Sequence, residues 1–181
     1  MSSADPPRGS EADLIARLKL GDASAADEFF DRYAARIHRF IASALGSSSS
    51  DADDVLQDTM IALAEALPFF RGDSSLFTFA CAIAHRKVLT AFRSDARRVR
   101  LTQAVSTVQI DSLPPSSTDN SDVVRALARL SPEYREILTL KYVEEISVAE
   151  IARVLALSEH AIESRLARAR KALRKSLEET R

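Results

Sequence analysis

One cysteine, three scattered histidines and four glycines are all this 181-residue chain offers of the residues that most metal, redox and phosphate-loop chemistry requires. A lone Cys81 excludes an internal disulfide and fits a reducing compartment, so a cytoplasmic location is expected. Cys81 and His85 stand one helical turn apart, yet two ligands do not make a zinc site, which takes three or four. They read as a small buried thiol beside an exposed imidazole. Glycine-rich phosphate loops, nucleophile elbows and paired carboxylates in a pocket-like setting are all missing, so neither an enzyme nor a cofactor is expected. No apolar run reaches membrane-spanning length, and no membrane contact is expected. The opening MSSADPPRGSE lacks the charged-then-apolar order of a secretion signal, and residues 1–9 read as a disordered tail.

What is present points to helices. The composition is 46% hydrophobic and 28% charged with a net charge of −1, which is that of a globular domain. Scarce glycine beside runs of Ala, Leu, Arg and Glu predicts an all-α fold. Ser10 caps a short helix that stops at Gly21, and a second runs from about Ser24 to Leu45 with Phe29, Tyr33, Ile37 and Phe40 at helical spacing. Asp51 opens a third, closed by Pro68, with Leu56, Met60, Leu63 and Leu67 as its buried stripe. A fourth extends from about Ser75 to Arg98. Residues 101–120, LTQAVSTVQIDSLPPSSTDN, lose the periodicity and gather Ser, Thr, Pro and Asp, so they read as a flexible linker. It separates a four-helix unit (10–100) from a second helical unit (121–181) and leaves the two unoriented.

The second unit carries the sharpest signal, SVAEIARVLALSEHAIESRLARARKAL at 147–173. Ser147 and Glu150 form a capping box, and Ser158 caps a last helix running to about Glu178. Ile162, Leu166, Ala169 and Leu173 share one face; His160, Ser164, Ala167, Arg168, Lys171 and Lys175 share the other. Two helices joined by a three-residue turn, the second with a polar basic face, form a helix-turn-helix that can enter a major groove. Arg168 is placed to offer guanine two parallel donors, while Lys171, Arg174 and Lys175 suit phosphates. Packing two helices with a solvated basic exterior would leave the same pattern. Glu159 and Glu163 at the leading end would repel phosphates.

In the first unit the helix at 51–67 shows a second face of Asp54, Asp58, Ile61 and Glu65, with Gln57 alongside and no basic residue between 51 and 67. Acids at the helix start complement its dipole, but Asp58 and Glu65 lie deeper, and the face suits a basic protein partner. The fourth helix is the reverse, with Arg86, Arg93, Arg97 and Arg100 in one stripe. Just upstream stand Phe69, Phe70, Phe77 and Phe79, either core residues or a stacking platform. Basic residues beside a loop able to receive an unstacked base are what single-stranded DNA binding needs.

The order of an acidic helix, FRGDSSLFTF, IAHRKVLTAFR, a linker and LSPEYREILTLKYVEEISVAEIARVLALSEHAIESRLARARKAL resembles the extracytoplasmic-function sigma factors of bacterial RNA polymerase, over about residues 11–178. The resemblance implies two helical domains, sigma regions 2 and 4, with no region 3. It also implies the roles of the residues. Asp54, Gln57, Asp58 and Ile61 would dock on the clamp helices of the β′ subunit of core RNA polymerase. Arg71, Asp73, Ser74, Ser75, Arg86 and Arg93 would recognise and melt the −10 element, and Ser164, Arg165, Arg168 and Lys171 would read the −35 element of promoter DNA. An anti-sigma factor is a further implied partner. The chain departs from the family in several places: Phe79 stands where a Trp is usual, Ile83-Ala84-His85-Arg86 where I-A-R-N is often found, and His160-Ala161-Ile162-Glu163-Ser164-Arg165 where G-T-V-K-S-R is usual. The expected function is thus that of an alternative sigma factor. The rival is a helix-turn-helix regulator that is no polymerase subunit, which should dimerise or carry a sensor domain.

Overall fold

The computed structural model describes residues 9–46, 49–102 and 121–179, and among them there are eight α-helices and no strand. The expected tail, apart from Gly9, and the expected linker, apart from Leu101 and Thr102, lie outside the described residues; Leu101 and Thr102 continue the fourth helix. Helix α1 (Glu11–Lys19) is capped by the Ser10 hydroxyl, and α2 (Ala23–Leu45) by the Asp22 carboxylate. Gly46 ends α2 in the left-handed region at φ 63°, where a Cβ would run into the Arg135 guanidinium, so conformation and space both demand glycine. Helix α3 (Ser49–Ala66) opens two residues before the expected start and passes into a 3₁₀ turn (Leu67–Phe69) holding Pro68. Helix α4 (Leu76–Thr102) begins where the Glu11 carboxylate accepts the Leu76 N–H at 3.0 Å.

In the second unit α5 (Ser121–Ala128) and α6 (Pro132–Leu138) lead into a π turn (Thr139–Val143). The expected capping box opens α7 (Val148–Leu155), and the Ser158 hydroxyl caps α8 (Glu159–Glu178). The buried stripe of α2, including Phe29, Tyr33, Ile37 and Phe40, falls as its spacing predicts. That of α3 does so only at Leu63 and Leu67. Ala52, Val55, Thr59 and Leu63 point inward with Leu67 of the following turn, and Leu56 and Met60 are only half-buried. Thr59 tolerates full burial because its hydroxyl donates to the Val55 carbonyl at 2.7 Å.

The two units are not unoriented. α4 packs on α7 and α2 on α6, and one hydrophobic core runs without a break from Leu14 to Ala169. No described helix is long and apolar enough to cross a membrane.

Candidate nucleic-acid and partner interfaces

The turn between α7 and α8 is tight because Ala156 takes the left-handed conformation at φ 52° and Ser158 accepts the Ala161 N–H at 3.2 Å. This fixes the rotation of α8 about its axis. Ile162, Leu166 and Ala169 are buried and Leu173 half-buried, as expected; each large apolar side chain so placed contributes roughly 1.5–3 kcal/mol. His160, Ala167, Arg168, Lys171 and Lys175 face outward. Arg168 leans back along its own helix, its Nε donating to the Ser164 carbonyl at 3.3 Å. Arg165 and Ser164 are half-buried, and Arg165 approaches Glu133 of α6 at 3.8 Å. Of the four expected −35 residues, two are therefore open and two partly covered. Glu159 and Glu163 are exposed at the leading end.

The loop before α4 turns at Gly72, whose φ of 81° only glycine adopts readily. Arg71 and Asp73 are exposed, Ser74 and Ser75 half-buried, and the Ser75 hydroxyl accepts the Thr78 N–H at 3.1 Å, capping α4. Core packing accounts for most of the phenylalanines: Phe70 and Phe77 are buried, and Phe79 sits with its ring 4.6 Å from that of Phe70. Phe69 alone stays out, 81% exposed. Arg86 and Arg93 lie on the open side of α4; the side chains of Arg97 and Arg100 are outside the described residues. Cys81 is fully enclosed, and burial pushes its thiol far above the ordinary range, so it is chemically quiet. His85 is not the exposed imidazole the sequence suggested. Its Nδ1 lies 2.6 Å from the Glu136 carboxylate, with both side chains largely enclosed. Among the described residues no three potential ligands gather for a metal.

On α3, Asp54, Gln57, Asp58 and Ile61 are all exposed and share one face, a turn apart in pairs. Asp53 pairs with His38 at 3.1 Å, whereas Asp54 and Asp58 have no basic partner among the described residues. Beside this face runs a groove of about 690 Å³ between α2 and α3, lined by Leu18, Phe29, Phe30, Leu56, Gln57 and Met60. Phe30 and Ile61 leave more than half their surface open. Acids rimming an apolar groove fit a partner helix that is basic on one side and apolar on the other. Phe30, Leu56 and Met60 escaped the sequence reading as surface residues, because their spacing matches that of the core.

A seam of polar contacts, also unforeseen, joins the units. The Glu144 carboxylate, 1% exposed, accepts from Arg36 Nε at 2.7 Å and Arg39 Nε at 2.8 Å. Glu150 Oε1 accepts from the Thr78 hydroxyl at 2.9 Å, and Arg153 donates to the Asp73 carbonyl at 2.8 Å. Burial works against a charge on Glu150, but bonds from the Ser147 side chain and N–H and from Thr78 and Ser75 outweigh it and hold the carboxyl below the ordinary glutamate range. Arg135 Nε donates to the Ser43 carbonyl of α2 at 2.9 Å.

A two-unit helical chain with this helix-turn-helix falls in the sigma-70 class. Residues 29–98 match the family model for sigma-70 region 2, and residues 121–173 match that for sigma-70 region 4. The ECF RNA polymerase sigma factor SigM of Mycobacterium tuberculosis is 32% identical over 174 residues, covering 93% of this chain and 85% of that one. Two solved structures share the fold. RpoE of Bartonella quintana, in complex with the anti-sigma factor NepR, superposes with a TM-score of 0.74 at 24% identity, covering 86% of this chain and 98% of that one. CnrH, in complex with the cytosolic domain of CnrY, gives 0.66 at 27% identity, covering 91% and 95%. The chain belongs to the ECF family of RNA polymerase sigma factors and is an alternative sigma factor, a regulator of transcription initiation.

Proposed function

We propose that this chain acts in the cytoplasm as a non-catalytic subunit of RNA polymerase, with domain limits at 10–100 and 121–181 and three surfaces sharing the work. The acids and apolar groove of α3, with Asp54, Gln57, Asp58 and Ile61, dock on a basic helical surface of core polymerase. The loop and α4, with Arg71, Asp73, Ser74, Ser75, Arg86 and Arg93, take the −10 strand, and Phe69 is the aromatic free to stack on an unpaired base. The outer face of α8, with Ser164, Arg165, Arg168 and Lys171, reads the −35 duplex. An anti-sigma protein is a further partner, by analogy with the complexes of RpoE with NepR and of CnrH with CnrY.

The observation that carries this reading is the separation of charge by surface: open acids on α3, Asp54 and Asp58, with no basic partner among the described residues, and open arginines on α4 and α8. Arg71→Ala and Arg93→Ala tests it. In polymerase reconstituted with either variant, promoter opening followed by permanganate reactivity of unpaired thymines should slow, while −35 duplex binding stays unchanged. Opening at the wild-type rate in both variants contradicts the assignment of the loop and α4 to the −10 strand.

A further inference from the structure

The loop that carries Arg71–Ser75 is tied at both ends to α1, a helix assigned no part in DNA contact. At its start the Lys19 ammonium donates to the Phe70 carbonyl at 2.6 Å, and at its end Glu11 Oε1 accepts the Leu76 N–H at 3.0 Å. The Tyr33 hydroxyl donates to the same Oε1 at 3.3 Å and so fixes the direction of the carboxylate. Both anchors belong to the unit that carries the loop, unlike Arg153 of α7, which donates to the Asp73 carbonyl.

α1 is held firmly enough to act as a frame. Leu14, between the anchors, is wholly buried, and Ile15 and Leu18 pack on the same core. Arg17 ties the helix to the start of α2: its Nε donates to Asp22 at 3.0 Å, one Nη to Glu28 at 2.8 Å and the other to the Ser24 hydroxyl at 2.9 Å. The anchors stand eight positions apart on α1, a rise of about 12 Å. Fully extended, the chain from Phe70 to Leu76 would reach about 20 Å. The surplus length bows outward, turns at Gly72 and leaves Arg71 and Asp73 exposed. The exposed Phe69 directly precedes the residue whose carbonyl Lys19 holds. Lys19 is itself exposed and gives up rotamer freedom for one carbonyl, so its contact adds little net stability. What it does fix is the entry of the loop.

We propose that Lys19 and Glu11 are positioning residues for −10 recognition, setting the span of the loop and hence where Phe69, Arg71 and Ser74 meet the strand. Neither touches DNA itself. The proposal rests on the reading that the loop takes the −10 strand. Its sign separates it from simple electrostatics. An acid beside a nucleic-acid surface repels phosphates, so on charge alone the loss of Glu11 would favour the strand. As a loss of positioning it is harmful.

The test uses core polymerase reconstituted with the full chain, each variant being normalised to its fraction active in core association. Promoter opening, followed by permanganate reactivity over a series of polymerase concentrations, separates the maximal opening rate from the half-saturating concentration. Glu11→Ala and Lys19→Met should each lower the maximal rate by on the order of tenfold, the scale of one hydrogen bond to a charged group, and leave the half-saturating concentration unchanged. Glu11→Gln and Lys19→Arg, which keep an acceptor and a donor, should restore the rate. Combined with Arg71→Ala, Lys19→Met should cost much less than it does alone, because the two act through one loop. Should Glu11→Ala fail to melt cooperatively, Lys19→Met, at an exposed position, decides alone. Opening at the wild-type rate or faster in the α1 variants overturns the proposal. So does full additivity with Arg71→Ala, which makes Lys19 an independent phosphate contact, and so does an equal loss of −35 duplex binding, which makes the effect one of general stability. Arg71→Ala alone judges the −10 reading: normal opening there refutes that reading, whereas slowed opening there with normal opening in both α1 variants refutes only the positioning.

Discussion

Arg135 has no carboxylate partner among the described residues, yet its guanidinium ties three chain segments together, and its removal has a calculable cost. Nε donates to the Ser43 carbonyl in the last turn of α2, and one Nη donates to the carbonyls of Ala128 and Leu130 at 3.1 and 2.8 Å. The Ser43 and Ala128 carbonyls lie at helix C-termini, where a cation is favoured by the dipole, and that of Leu130 lies in the turn after α5. Arg135→Ala leaves the Ser43 and Leu130 carbonyls partly buried without a donor, while water reaches that of Ala128. A hydrogen bond to a charged group contributes about 1.5–3 kcal/mol, and partial exposure places each of the two near the lower bound. Against this, burial disfavours the charge on Arg135 and lowers its pKa, so removing the side chain returns part of the loss. The net expectation is a loss of about 2–3 kcal/mol and a melting temperature lower by roughly 5–10 °C. Urea unfolding followed by circular dichroism measures it. Arg135→Lys should recover little, since a single ammonium cannot span three carbonyls set for a planar fork. A loss below about 0.5 kcal/mol, the scale of an ordinary surface substitution, or full recovery by Lys, would refute the role given to Arg135 at the seam.

Three other perturbations separate stability from binding. Asp58→Lys should weaken association with core polymerase at least about tenfold, each charge-assisted contact contributing about 1.5–3 kcal/mol; because Asp58 is exposed and has no basic partner among the described residues, stability should move by less than about 0.5 kcal/mol. Affinity-column retention on core enzyme and a thermal melt check the two halves. Arg168→Ala should cost about 1–3 kcal/mol of discrimination between −35 and scrambled duplex, whereas Lys175→Ala should weaken both alike; an equal loss on both duplexes for Arg168→Ala makes it a phosphate contact only. Glu150, held below the ordinary glutamate range when folded, stabilises the protein fully above about pH 4.3, and that contribution fades as pH falls through its lowered value. Glu150→Gln should therefore flatten the acid side of the melting temperature against pH, and parallel curves for the two proteins would contradict this.

Local chemistry was legible in the sequence, and distant chemistry was not. The caps at Ser10, Ser147 and Ser158 bind N–H groups a few residues on, and the buried face of α8 follows from its own period, so both could be read from short windows. On α3 the period alone could not say which of two adjoining apolar stripes meets the core. Leu56 and Met60 were expected inside and line an open groove instead. His85 was expected in solvent because Glu136, its partner, lies 51 residues away. The Glu144 clasp joins residues more than a hundred positions apart, a pairing that leaves no trace in spacing or composition. This is also why the units were expected to be unoriented. The proposed residues of α3 and of α8 could be grouped from the sequence because each set sits on a single helix.

As an alternative sigma factor, this chain gives core RNA polymerase its promoter choice. The most direct measurement is transcription in vitro from a fragment library of bacterial genomic DNA, with core enzyme alone and with core enzyme plus the full chain, followed by mapping of transcript 5′ ends. Start sites should appear only when the chain is present, share two sequence elements at the −10 and −35 spacing, and disappear with Asp58→Lys. The same start sites with and without the chain would contradict that role.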